Sequence, residues 1–179
     1  MKNYEITIAG IKRTLPLCSV DEKLQIAAFI IFSDVELTIA AASELLRKAP
    51  EFDIILTPEA KSIPLAYEMA RQSGKNYIVA RKSKKLYLQK FIRVEVKSIT
   101  TNKKQKLFLS KEDALLLKDK NVLIVDDVIS TGGSLLAVEK LLSEAGGIRA
   151  GACAVLAEGV AAERKDIFFL EPLPVFFKK

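Results

Sequence analysis

Two adjacent carboxylates, Asp126 and Asp127, follow the apolar run Val122-Leu123-Ile124-Val125, and Ser130-Thr131-Gly132-Gly133-Ser134 comes shortly after them. Glycines let a backbone turn tightly and approach a ligand closely. Hydroxyls and free amides where a helix begins favour an anion, phosphate most of all. Two acids beside such a cradle would repel the phosphate, so they need another partner. A sugar diol that donates hydrogen bonds to them, with a magnesium ion shared nearby, satisfies that need. An Asp-rich turn before an N-capped helix would explain the acidic dipeptide alone. It does not explain the whole block from Val122 to Ser134, which is built to hold a phosphorylated sugar. The block is neither a Walker A loop, since no Gly-Lys-Ser/Thr follows at the required spacing, nor the dinucleotide Gly-x-Gly-x-x-Gly.

Composition narrows the chemistry. The chain has no histidine, so acid–base work near neutral pH falls to a carboxylate, a lysine, a tyrosine or the substrate. Cys18 and Cys153 lie far apart without a histidine to join them. That excludes the usual zinc patterns and suggests two buried, reduced thiols. The net charge of +6 is concentrated at Arg81, Lys82, Lys84, Lys85, Lys90, Arg93 and Lys97, and again at Lys103, Lys104 and Lys106. A polyanionic small ligand, a nucleic acid or a solvated basic face would each suit such a run. The buried α/β pattern and low aromatic content disfavour nucleic acid. No apolar run approaches the ~18 residues that cross a bilayer, and the stretch Leu24–Phe32 is too short. The start shows no apolar leader segment, so a cytoplasmic protein with no membrane partner is expected.

These residues need a frame to hold them. Tyr4–Ile8 and Ile11–Leu17 alternate as strands around Ala9-Gly10. Asp34–Lys48 carries a helical apolar face, with Asp34 as N-cap and Pro50 beyond its end. Phe52–Thr57 reads as a strand, Ser62–Ser73 as a helix stopped by Gly74, and Asn76–Ala80 as a strand. Phe91–Ile99 and Lys106–Ser110 form a hairpin standing away from the main sheet. A helical turn at Lys111–Leu117 leads into Val122–Val125, a strand apolar on both faces. Gly133–Ala145 is a helix closed by Gly146-Gly147, and Ala150–Ala157 a further strand. No repeat or linker divides the chain, so residues 1–179 form one domain. The alternation predicts an α/β fold, a mostly parallel sheet flanked by helices on both faces. Such sheets bind ligands at the carboxyl ends of their strands. That singles out the loops after Thr57, Ala80, Val125 and Ala157.

The block Val122–Ser134 resembles the phosphoribosyl pyrophosphate (PRPP) motif of type I phosphoribosyltransferases. The lead-in Lys111-Glu112-Asp113-Ala114-Leu115 is closest to the adenine branch, and the likeness runs from about Asp34 to Glu158. It implies that fold, with a small hood from about 1–33 and 158–179 and a flexible β-hairpin loop. It implies that Asp126 and Asp127 contact the ribose hydroxyls and, indirectly, PRPP-bound magnesium. Ser130, Thr131, Gly132, Gly133 and Ser134 would hold the 5′-phosphate. The basic segment Arg81–Leu86 is similar to one that binds pyrophosphate partly across a homodimer interface, which points to Arg81, Lys82 and Lys85. Thr57–Ser62 lies where the family carries a tight, often strained pyrophosphate loop, so Glu59, Ala60 and Lys61 match it by position. Ser62 replaces the usual glycine there. Glu95 falls where adenine-type enzymes carry a catalytic glutamate on the loop that closes over the reacting centre, with Val96 in place of an aromatic partner.

The implied reaction moves ribosyl phosphate from PRPP to a purine nitrogen and releases pyrophosphate, as in purine salvage. Its transition state is oxocarbenium-like, so the protein positions and neutralises rather than forming a covalent intermediate. The acceptor base is left open. The Pro-Gly-Val-x-Phe-Arg-Asp segment of adenine enzymes is missing, and Arg13–Leu17 occupies its neighbourhood. Adenine is favoured by overall similarity, with hypoxanthine, guanine or xanthine as alternatives and Lys165 as a candidate for a 6-oxo group. Phe168, Phe169, Phe176 and Phe177 suit core or dimer packing better than base stacking. A non-catalytic PRPP-sensing regulator is the competing class.

Overall fold

Strand β4 (Ile54–Pro58) is buried at every position, and β8 (Asn121–Ile129) is buried from Val122 through Asp127. Strands covered on both faces cannot alternate polar with apolar residues. With β5 (Asn76–Ala80), β9 (Ile148–Glu158) and β10 (Phe168–Leu173) they form a five-stranded sheet of order β10-β9-β8-β4-β5. Every neighbouring pair in it is parallel. The computed structural model describes residues 3–84, 90–97 and 104–178.

The chain runs outward from β4 to β5, then crosses back to β8 on the other side of β4. It continues outward from there to β9 and β10. The direction therefore reverses between β4 and β8, and a crevice opens there at the carboxyl ends of the strands.

Alternate residues of the central strands feed opposite faces. Ile54, Leu56 and Ile124 pack with Leu135, Val138 and Leu141 of α4 (Gly133–Glu144) and Leu117 of α3 (Lys111–Leu117). On the other face Ile55, Leu123 and Val125 meet Leu37 and Leu45 of α1 (Val35–Lys48) and Leu65 and Met69 of α2 (Ile63–Ser73). The helix ends follow their predicted signals. Asp34 accepts from the Leu37 amide at 3.1 Å, and Gly74 stops α2 in the left-handed region at φ 67°.

The hood is an antiparallel sheet of β1 (Asn3–Ile8), β2 (Ile11–Ser19), β3 (Leu24–Ala27) and β11 (Val175–Phe177), in that order. Its inner residues Ile8, Leu15 and Ala27 join the α1–α2 core. Arg13 ties it down, with Nε 2.6 Å from Asp34 and Nη2 2.8 Å from Glu36. Several expectations change here. Leu24–Ala27, noted in the sequence for its apolarity alone, is a strand because β2 and β11 both offer it an edge. Not all of 158–179 belongs to the hood: β10 is an edge of the main sheet, where Phe168 and Phe169 pair with Cys153 and Ala154. Only β11 crosses over. Cys153 is buried as expected, whereas Cys18, near the end of β2, is exposed.

Two strand expectations are refined. β8 does not stop at Val125; β9 runs beside it, so the ladder continues through Asp126↔Ala154 to Ile129↔Ala157. The hairpin β6 (Phe91–Lys97) and β7 (Lys104–Ser110) is a separate two-stranded sheet. One bridge, Arg81↔Phe108, links it to the chain leaving β5. Yet it does not stand clear of the body, because Val94, Leu107 and Leu109 are buried in the core beside α4. Among the described residues no helix is long and apolar enough to cross a membrane.

Candidate active site

The β4–β8 ladder pairs Ile54–Leu56 with Val122–Ile124. One residue further on, the Thr57 hydroxyl donates to the Val125 carbonyl at 2.8 Å. Ser62 Oγ lies 2.8 Å from Thr57 Oγ1 and 2.9 Å from the Pro58 carbonyl. Both hydroxyls are fully buried, Thr57 at 0% and Ser62 at 1% exposure. This side-chain bridge pins the β4 loop to β8 at the mouth of the crevice. Ser62, where a glycine is usual, keeps an ordinary right-handed backbone at φ −78°, so no glycine is required there. The Glu59–Ala60 peptide in the same loop is cis.

The acid pair sits at the floor. Asp126 and Asp127 are 8% and 5% exposed. The Asp127 amide donates to Asp126 Oδ1 at 2.9 Å. Burial first, then the adjacent charge of Asp127, pushes the Asp126 carboxyl well above the ordinary carboxylate range, and Lys61 opposes that rise. Lys61 Nζ stands 2.8 Å from Asp127 Oδ2. Besides this ion pair, no donor reaches Oδ2 among the described residues. A buried carboxylate oxygen left in this way is a place for a donor to arrive. Glu158, half-buried at the end of β9, is also raised by burial and opposed by Lys61. One lysine thus faces three carboxylates.

Beside this floor, β8 leads into α4 through Gly132, which adopts φ +79° and leaves the helix without a side-chain cap. Ser130, Thr131, Gly133 and Ser134 surround this uncapped end, the arrangement that favours an anion. No lysine or arginine lies between Val122 and Glu139. A cation nonetheless reaches the loop from elsewhere. Arg164 Nη1 lies 2.6 Å from where a Cβ on Gly132 would stand. Its Nε and Nη2 donate to Asp166 Oδ1 and Oδ2 at 2.9 and 2.6 Å.

The basic segment is organised by Glu59. Its carboxylate accepts from the Lys82 amide at 2.9 Å and lies 3.5 Å from Arg81 Nη1. The Glu59 amide in turn donates to the Ala80 carbonyl at 2.9 Å. Lys61, Glu59, Arg81 and Lys82 therefore belong to two touching loops, while Lys85 lies outside the described residues. Glu95 sits in the hairpin with Arg93 at 3.9 Å and Lys106 at 4.0 Å.

Sequence reasoning missed Arg164, Glu158 and the Thr57–Ser62 bridge. The loop after Ala157 pointed towards Glu158. Nothing local marks Arg164, which meets Gly132 only because β9 and its following turn return to the same end of the sheet.

The family model described as "Phosphoribosyl transferase domain" matches residues 35–175. The hypoxanthine/guanine phosphoribosyltransferase of Methanothrix thermoacetophila is 34% identical over 114 residues, covering 64% of this chain and 56% of that protein. The adenine phosphoribosyltransferase of Rhodococcus jostii is 31% identical over 129 residues, covering 70% and 69%. The chain spans about half the length of the first of these curated relatives. Among solved structures, adenine phosphoribosyltransferase from Thermoanaerobacter pseudethanolicus has a TM-score of 0.66 at 27% identity, covering 79% of this chain and 84% of that one. The Giardia lamblia adenine enzyme, solved with 9-deazaadenine, matches in fold with a TM-score of 0.68 over 95% and 93% of the two chains at 19% identity.

Proposed function

Because the chain belongs to the phosphoribosyl transferase family, we propose that it transfers ribosyl phosphate from PRPP to a ring nitrogen of a purine, adenine by preference, and releases pyrophosphate. The observation that carries this reading is the buried acid pair at the switch point, where Asp127 Oδ2 meets no donor but Lys61 among the described residues, beside a helix start with no side-chain cap. A ribose diol supplies the missing donors, and its 5′-phosphate reaches the α4 amides.

The roles follow from placement. Asp126 and Asp127 orient the ribose and face the positive charge that builds on it in an oxocarbenium-like transition state. Residues 130–134 anchor the 5′-phosphate and so fix where the anomeric carbon lies. Lys61, Arg81 and Lys82 draw the negative charge of the departing pyrophosphate, and Glu59 holds the last two in place. Lys61, which pairs with Asp127, turns to the diphosphate when substrate enters. Two adjacent carboxylates, with no cluster of three or more candidate ligands among the described residues, fit a magnesium ion that arrives on the substrate better than one held in a protein cage. That ion supplies charge neutralisation at the diphosphate.

Adenine is favoured because the lead-in resembles that of the adenine branch and because the Thermoanaerobacter neighbour bears that name. The 6-oxopurine reading stands second, supported by the hypoxanthine/guanine name of the Methanothrix relative. Purified protein, magnesium and PRPP are assayed with adenine, hypoxanthine, guanine and xanthine separately. Turnover with adenine, abolished in Asp126→Ala/Asp127→Ala, supports the proposal. Turnover with a 6-oxopurine alone replaces its acceptor. PRPP binding without turnover on any base leaves a sensor.

A further inference from the structure

We infer that Arg164 is the cationic ligand of the 5′-phosphate subsite, its guanidinium oriented by Asp166 so that Nη1 donates to the sugar phosphate held at the start of α4. The inference rests on the proposed reading of the 130–134 loop and adds to it a residue from the far end of the chain.

The geometry is that of an aimed side chain. Measured from the point where a Gly132 Cβ would stand, Nη1 is 2.6 Å away and Cζ 3.8 Å, so the Nη1 end of the guanidinium faces the loop. The opposite edge is committed, since Nε and Nη2 form a fork on the two Asp166 oxygens. Nη1 has no hydrogen-bond partner among the described residues. Asp166 is itself fixed to α4: Arg149 places Nη2 3.4 Å from Asp166 Oδ2 and Nε 3.2 Å from Glu139 Oε1. The guanidinium is therefore held relative to the helix whose first turn it faces. The Asp166 carboxyl is drawn down to about 2, first by the hydrogen bond from Arg164. Asp166 thus stays ionised throughout the physiological range.

Charge supplies the need. A phosphate dianion in this loop lies near Asp126 and Asp127, and no basic residue occurs between Val122 and Glu139. Lys61, paired with Asp127 here, is assigned to the diphosphate rather than to the sugar phosphate. Neutral amides and hydroxyls alone would leave the dianion beside two acids, whereas a pre-oriented guanidinium offers a charge-assisted donor at little further entropic cost. Gly132 then has two reasons to lack a side chain: its φ of +79° and the space that Arg164 occupies.

The test is calorimetric titration of the full chain and of Arg164→Gln, Arg164→Lys and Asp166→Asn with ribose 5-phosphate, and separately with magnesium pyrophosphate. Losing a charge-assisted hydrogen bond predicts a roughly 10- to 100-fold weaker affinity of Arg164→Gln for ribose 5-phosphate, with pyrophosphate affinity unchanged. Arg164→Lys, which keeps charge without the fork, and Asp166→Asn, which loosens it, should fall between. Unchanged ribose 5-phosphate binding in Arg164→Gln overturns the assignment. So does an equal loss of both ligands with a lowered Tm, which would make Arg164 only a brace for the loop. Should Arg164→Gln not fold, the Lys and Asn variants decide by the same comparison. A wild-type chain that binds neither ligand refutes the phosphoribosyl reading, and this inference with it.

Discussion

Replacing Asp126 by Asn should stabilise the protein at neutral pH while it removes activity. Asp126 is almost wholly buried, and its carboxyl is raised by burial and by Asp127. Between about pH 4, where an unfolded aspartate ionises, and the raised native value, the folded protein holds a proton that the unfolded chain has released. Stability contributed by this group therefore falls as pH rises through that window. Each unit of upward displacement costs the ionised native state about 1.4 kcal/mol. An asparagine has no proton to lose and retains the oxygen that accepts from the Asp127 amide. Its amide also gains a role, donating toward Asp127, whose Oδ2 accepts no hydrogen bond.

Even one unit of displacement corresponds to about 3–6 °C in Tm for a domain of this size. Thermal unfolding of both proteins in magnesium-free buffer from pH 4 to 8 reads the effect. The Tm difference should be near zero at pH 4 and widen with pH in favour of the variant. Turnover should fall by about 10- to 100-fold, because an asparagine cannot ionise to face the positive charge on the ribose once substrate and magnesium are bound. A Tm difference that does not vary with pH, or a variant less stable than wild type at pH 7.5, would refute the claim that burial and like charge strain this pair.

Three further outcomes follow from other parts of the molecule. Gly132→Ala places a Cβ at φ +79° and 2.6 Å from Arg164 Nη1. It should cost about 1–3 kcal/mol of stability and weaken ribose 5-phosphate binding, both measurable by denaturant titration and calorimetry. Leu109→Ala should destabilise by about 2–5 kcal/mol, because this hairpin residue is 1% exposed; a loss below about 0.5 kcal/mol would show that the hairpin folds apart from the core. Arg13→Ala should lower Tm at neutral pH, and the difference should shrink in acid. Arg13 holds the Asp34 carboxyl below its ordinary value, so that stabilisation is present above the unfolded aspartate value and lost as pH falls through the native one.

The sheet, its helices and the core of the site were legible because their signals are local. Continuous apolar runs marked β4 and β8, Asp34 and Gly74 marked helix ends, and the Val122–Ser134 block carried its chemistry in consecutive residues. What escaped depends on contacts between distant segments. β3 is a strand because β2 and β11 flank it, not because Leu24–Ala27 alternates. β8 extends past Val125 because β9 continues beside it. The hairpin looked detached because the polar Thr101-Asn102-Lys103-Lys104 stretch separates two weak strand-like segments; Val94, Leu107 and Leu109 become core residues only once α4 is folded against them. The missing glycine in the Thr57–Ser62 loop is resolved by Ser62 itself, whose buried hydroxyl contacts Thr57 and Pro58.

The charges of the crevice follow the same division between local and assembled features. The acids and the phosphate loop come from one stretch of thirteen residues, but every cation near them is imported. Lys61 comes from the β4 loop, Arg81 and Lys82 from beyond β5, and Arg164 from beyond β9. Cations on the acidic segment itself would pair with both Asp126 and Asp127, whereas among the described residues Lys61 ion-pairs with Asp127 alone of the two. Delivering them from separate strand ends leaves Asp127 Oδ2 met by Lys61 and by no other donor among the described residues. It also positions Lys61 where it can leave one anion for another. On the proposed reading the crevice is balanced for a ligand that brings both hydroxyl donors and phosphate charge, and a parallel sheet achieves this because its carboxyl ends gather at one edge loops that are far apart in sequence.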